Sequence, residues 1–136
     1  MRIALVHFLQ NENIKHKQIV KKLEQTAVAQ GHIVDVFSGY KDAYSLRLTG
    51  YEYVTFVVAS SPLFGSKIPS KVREILGSSG SVSGKKGAAL VLKSGFSSNK
   101  TCNVLMKAME NEGMVIDYFE VVLSADHAAY VGKKIG

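Results

Sequence analysis

The sequence predicts an α/β domain built as a three-layer sandwich, with one open parallel sheet of five strands between two layers of helices. Three observations lead there. Five apolar runs recur along the chain, at residues 3–8, 33–37, 53–59, 88–92 and 114–123. The central runs are continuous rather than alternating, as strands covered on both faces require. Helix-periodic segments separate most of them, and strand–helix alternation with short connections produces a parallel sheet with right-handed crossovers. Five such strands suit the order 2-1-3-4-5, whose switch point lies between the first and third strands.

Each element has a local reason. After the first strand, residues 14–30 place Ile19, Val20, Leu23 and Ala27 on one stripe, with Lys15, Lys17, Lys21, Lys22 and Glu24 largely elsewhere. Gly31 is a natural stop just beyond. Residues 40–48 are expected to hold a short helix between the second and third strands. Residues 69–76 form a short helix with Val72, Ile75 and Leu76 inward and Pro69 tolerated in its first turn. The stretch 78–84, SSGSVSG, is of low complexity and is expected to be a mobile connection. Residues 100–112 bring Val104, Leu105, Ala108 and Met109 onto one face, and Gly113 ends that helix. The tail, 126–136, reads as a stunted final helix. No internal repeat is visible.

At 136 residues the chain is most simply one domain, 1–136. A chain near this size buries about 68–70% of its unfolded surface, so the core needs no covalent or metal staple. Its one cysteine, Cys102, excludes an intramolecular disulfide. The opening apolar run is too short for a signal or membrane segment, so a cytoplasmic location is expected and no membrane partner. The charge is basic, 17 Lys+Arg against 11 Asp+Glu. Nucleic acid is not the expected partner, because the lysines are scattered, the arginines are only Arg2, Arg47 and Arg73, and no nucleic-acid motif appears.

The most informative stretch is 53–69, YVTFVVASSPLFGSKIP, where an apolar strand runs into a small-residue loop carrying Phe64. In an open α/β sheet such a loop lies over the carboxyl edge of a central strand, where ligands bind. The run Ser60-Ser61-Pro62-Leu63-Phe64-Gly65-Ser66-Lys67-Ile68-Pro69 resembles the flavodoxin-like family's loop after the third strand. Leu92-Lys93-Ser94-Gly95-Phe96 is a weaker echo of the family's loop after the fourth strand, and Lys85-Lys86-Gly87-Ala88 and Val131-Gly132-Lys133-Lys134-Ile135 are also family-like. The order of elements matches over essentially the whole length.

The resemblance implies FMN as cofactor and a redox role, either electron transfer or reduction of a small acceptor such as a quinone. Ser61, Pro62, Leu63, Phe64 and Gly65 would flank the flavin ring from one side, and Ser94, Gly95 and Phe96 from the other. The first loop and helix start, Phe8, Leu9, Gln10, Asn11, Asn13 and Ile14, would hold the phosphate. The family's phosphate loop is Ser/Thr, any residue, Ser/Thr, Gly, any residue, Ser/Thr, so that curled backbone N–H groups and hydroxyls surround the anion. Here those positions read Phe8, Leu9, Gln10, Asn11, Glu12 and Asn13. Asn11 can adopt the left-handed conformation and Asn13 can cap the helix. Phe8 and Gln10 do not replace hydroxyls, and Glu12 brings a carboxylate toward the phosphate. The alternative is a domain of the same fold that has lost FMN and serves as a binding or interaction module, or takes another small anion. A homodimer is an arrangement the resemblance allows.

Other residues carry two readings each. Lys15, Lys17, Lys67, Lys71, Lys93 and Lys100 fall near the carboxyl edge, where they either compensate a bound anion or form a solvated face. Cys102, near a helix start, is either a reactive thiol or a small core residue. His7 ends the first strand and either reaches the cleft or packs as a satisfied histidine. Asp126 and His127 are adjacent, but neighbours on a helix rarely face one another. Receiver-domain acids, a cysteine after the first strand, a nucleotide P-loop, a dinucleotide GxGxxG, metal-ligand spacing and a nucleophile elbow are all absent from the sequence.

Overall fold

The computed structural model describes residues 1–9, 13–60, 67–95 and 97–136. The strands are β1 (Arg2–His7), β2 (Ile33–Ser38), β3 (Tyr53–Ala59), β4 (Lys86–Leu92) and β5 (Val115–Val122). The helices are α1 (Ile14–Ala29), α2 (Ser70–Ser78), α3 (Ser98–Asn111) and α4 (Ala125–Val131). All strand pairs are parallel, and the sheet runs β2-β1-β3-β4-β5.

Period-two alternation along the strands divides the core. Ala4, Val6, Val54, Phe56, Ala89 and Val91 pack under α2 and α3 with Val72, Ile75, Leu105 and Met109. Ile3, Leu5, Tyr53, Val57, Leu90 and Leu92 pack under α1 and α4 with Ile19, Leu23, Ala27 and Val131. The helix stripes are the ones the sequence periodicity presents, except on α3, where Val104 is only half-buried and Thr101 and Cys102 join Leu105, Ala108 and Met109 on the inner face. A bulge between Gly87 and Ala88 shifts the β4–β5 register and leaves Asp117 outside the ladder. There the Tyr53 hydroxyl donates to Asp117 Oδ1 at 2.5 Å, which ties the start of β3 to the edge strand.

Two expectations need correction. Residues 40–48 do not form an α-helix; they make a series of turns. Side chains satisfy the backbone locally and displace the helical ladder, as Ser and Asp commonly do. Ser38 Oγ accepts from the N–H groups of Tyr40 and Lys41, and Asp42 Oδ2 accepts from Ser38 N–H at 2.8 Å. Leu46 and Leu48, both buried, then anchor the segment to the core. The stretch 78–84 is not a loose connection either. Leu48 N–H donates to Ser79 O, Gly84 N–H donates to Gly113 O, and Val82 is buried.

At the carboxyl edge, Phe8 follows β1 and turns its ring into the α2/α3-face core, 5.5 Å from Phe56 and 6.1 Å from Tyr40 between ring centres. Gly39 makes room for it, since a Cβ there would lie 2.1 Å from Phe8 Cε1. Gly39→Ala is expected to cost about 1–3 kcal/mol by overpacking, read as a lower urea midpoint with an unchanged slope. A midpoint equal to that of the parent protein would show that the ring moves aside freely.

Candidate functional site

In this topology α1, α2 and α3 all begin at the carboxyl edge of the sheet, so their positive dipole ends converge there. None of the three has an acidic residue in its first turn. Lys15 and Lys17 lie in the first turn of α1, Lys71 in that of α2 and Lys100 in that of α3. Lys67 precedes α2 and Lys93 follows β4. Cations at a positive dipole end are unfavourable by about 0.3–1 kcal/mol each. An anion lying at this edge would offset that cost.

The helix starts differ in how they are capped. Asn13 Oδ1 accepts from His16 N–H at 3.1 Å, so Asn13 is the N-cap of α1. Pro69 and Ser97, the caps of α2 and α3, make no side-chain cap hydrogen bond. Their first-turn amides are thus directed at the edge without a bond from the cap side chain.

Ser60 is the residue that joins the two sides of this edge. It follows β3, is buried, and its N–H donates to Leu92 O at 3.1 Å. Its Oγ lies 2.7 Å from Ser94 O, accepts from Ser94 N–H at 2.8 Å, and lies 2.9 Å from Ser98 Oγ. A hydroxyl has one donor and two lone pairs. The arrangement that uses all three has Ser60 donating to Ser94 O and accepting from Ser94 N–H and the Ser98 hydroxyl. One side chain thereby fixes the end of β3 against the segment after β4 and the first residue of α3.

The sequence-predicted residues distribute as follows. Ser94 is held by Ser60, while Gly95, with φ +76°, lines a cleft of about 510 Å³ with Lys93, Ser98, Asn99, Glu120 and His127. Asn13 and Ile14 stand at the α1 N-terminus. Leu9 lines a different groove, on the β1–β2 side. Phe8 is a core residue whose N–H donates to Val57 O at 2.9 Å. Gln10, Asn11, Glu12, Ser61, Pro62, Leu63, Phe64, Gly65, Ser66 and Phe96 lie outside the described residues. Ser60, Ser98 and Asn99 are edge residues that sequence reasoning missed. The available signal was a serine directly after an uninterrupted apolar strand, facing a second serine-rich turn.

Of the residues with two readings, Cys102 is buried, its Sγ 3.8 Å from Ala89 O, and burial pushes the thiol pKa up to about 11, with the Glu120 charge adding to it. It is a core residue with a protonated thiol. His127 Nδ1 accepts from Leu123 N–H, and its own N–H donates to Ser124 Oγ, so it closes the start of α4. His7 is half-buried; its Nδ1 accepts from Leu9 N–H at 3.4 Å. Among the described residues there is no His/Cys/Asp/Glu cluster suited to a metal, and no helix is long and apolar enough to cross a membrane.

Solved flavodoxin structures share this architecture. One from the domain Archaea superposes with a TM-score of 0.70 at 15% identity, covering 99% of this chain and 96% of its own. Oxidised flavodoxin 1 from Bacillus cereus gives 0.69 at 10% identity over 97% and 95%. Fusobacterium nucleatum flavodoxin bound to flavin mononucleotide gives 0.63 at 10% identity over 99% of each. The fold is flavodoxin-like. No protein-family profile and no curated protein sequence matches the chain.

Two outcomes test the site's internal chemistry. Ser60→Ala strands the Ser94 N–H and the Ser98 hydroxyl and should cost about 1–3 kcal/mol, while Ser98→Ala, which leaves the Ser60 hydroxyl bonded to Ser94 and beside Leu92 O, should cost less. Equal losses, or none for Ser60→Ala, would deny Ser60 its central place. Burial lowers the His7 pKa, with Asp42 opposing and Lys41 adding, and burial lowers that of His16 as well. The unfolded chain therefore binds more protons than the folded one below about pH 6.5, so stability falls on acidification through that range. His7→Asn should flatten that slope in denaturant titrations between about pH 7 and 5; an unchanged slope would place the linkage elsewhere.

Proposed function

We propose that the protein is a small FMN-binding redox protein that passes electrons or reduces a small acceptor such as a quinone. The observation that carries this reading is the carboxyl edge itself. Three helices whose first turns carry lysines and no acids converge where the ends of β3 and β4 are locked together by Ser60. The described residues fit FMN in charge and in donor chemistry. The Asn13-capped first turn of α1, with Lys15, would hold the phosphate. The backbone of Gly95 would meet the ring edge, where glycine permits close approach. FMN, when bound, supplies the electron-transfer chemistry, and the protein positions it and sets its electrostatic surroundings. The rigid Ser60 link would keep the ring-flanking segments at a fixed separation, so little ordering would accompany binding.

A second reading has its own observation. Phe8 stands where the flavodoxin phosphate loop begins with a hydroxyl residue, and its ring is spent on the core. That favours a flavodoxin-like domain that has lost FMN and binds another small anion or a partner.

Fluorescence titration separates the two. FMN emission should be quenched saturably at micromolar protein and the purified protein should be yellow. Affinity should fall as NaCl rises from about 0.02 to 0.5 M, because the lysines act through screened charge. Colourless protein without quenching supports the second reading, and quenching indifferent to salt removes the lysines from the site.

A further inference from the structure

The cleft of about 510 Å³ lies on the far side of the segment that Ser60 holds. Its walls come from the residues after β4, the first turn of α3, the end of β5 and the start of α4. Lys93, Asn99, Glu120 and His127 bring polar groups to it, and Val121 and Leu123 form its apolar side.

A cation and a carboxylate line this one space without meeting. Glu120 Oε1 accepts from Val121 N–H at 3.0 Å, which anchors the carboxylate and leaves its charge intact. Among the described residues Lys93 forms no ion pair, with Glu120 or with any other acid. Its backbone is fixed, since Lys93 N–H donates to Val122 O at 3.0 Å, while its side chain is exposed. The Asn99 side-chain amide also has no partner among the described residues, and it can donate or accept. His127 adds a directional donor. Leu123 N–H can only donate, so the Nδ1 that receives it at 3.0 Å carries the lone pair. The neutral ring then holds its proton on Nε2, and that N–H is the polar group it has left to offer.

A lone anion in the cleft would meet the Glu120 carboxylate, and a lone cation would meet the Lys93 ammonium. A neutral apolar molecule would strip water from all four polar groups and replace none of it. A molecule carrying both charges satisfies both walls, and a space of this size suits a small molecule rather than a monatomic ion. We propose that the cleft binds a free α-amino acid as its zwitterion, the carboxylate toward Lys93 and His127 Nε2–H, the ammonium toward Glu120, and an apolar side chain against Val121 and Leu123. The inference does not rest on the flavin reading, because the cleft lies on the β5 side of residues 93–95 and the Ser60 link on their β3 side.

L-Leucine, N-acetyl-L-leucine, which lacks the ammonium, and L-leucinamide, which lacks the carboxylate, are the probes. Titrated into the full ¹⁵N-labelled chain, L-leucine should shift the Asn99, Val121 and Leu123 amides saturably. It should bind about tenfold or more tighter than either derivative. Two variants then separate the two ends of the ligand. Glu120→Gln, which keeps an oxygen for the Val121 amide, should weaken L-leucine about fivefold and should not weaken N-acetyl-L-leucine. Lys93→Gln should weaken L-leucine by a similar factor and should not weaken L-leucinamide. N-acetyl-L-leucine binding as tightly as L-leucine would overturn the proposal in favour of a simple anion site, and L-leucinamide doing so would overturn it in favour of a cation site. Unchanged L-leucine affinity in either variant would also overturn it, as would the absence of these shifts at millimolar L-leucine.

Discussion

Ser60 is the point on which the carboxyl edge depends. A parallel sheet presents separate connections after each strand, and nothing in the sheet ladder itself fixes one against the next. Here a single buried hydroxyl uses its full hydrogen-bonding capacity to do so, reaching Ser94 on both its N–H and carbonyl and Ser98 at the start of α3. Because the donors it satisfies are buried or half-buried, leaving them unmatched is costly in a way that an exposed serine would not be. The link therefore converts two chain segments into one rigid wall of the edge.

The electrostatics build on that wall. Helix starts converge on it, and the first turns of α1, α2 and α3 add lysines where acids would be the favourable choice. Lys71 also pairs with Glu74 at 3.7 Å and lies over the Tyr44 ring. An anionic ligand at this edge would offset the unfavourable placement of lysines at helix starts. Phe8 shows the opposite commitment: at a position where a hydroxyl would serve a phosphate, the chain places a ring against Phe56 and Tyr40 and reserves Gly39 for it.

Much of the architecture was legible because it rests on local periodicity. The continuous run of β3 and the stripe Ile19, Val20, Leu23 and Ala27 are buried as their spacing requires. The turns after β2 were not legible, because Ser38 and Asp42 close them through side-chain bonds that compete with a helix of equal apolar pattern. The stretch 78–84 misled for a related reason: its composition is that of a flexible linker, but Val82 and two backbone hydrogen bonds hold it down. Within the candidate site, Asn13 was readable as a cap from residue type and place. Ser60 was not, since its importance lies in partners 34 and 38 residues away, a relation that only the sheet order creates.

On the proposed function, an anionic flavin would lie across the joined edge, its phosphate at the α1 start and its ring by the segment after β4. Amide shift mapping with FMN tests it most directly. The account predicts concerted, saturable shifts at Ile14 and Lys15 and at Ser94 and Gly95, with the β-strand amides at the opposite end of the sheet unmoved. Shifts confined to one of these two places, or none at FMN concentrations that saturate known flavin proteins, would contradict it.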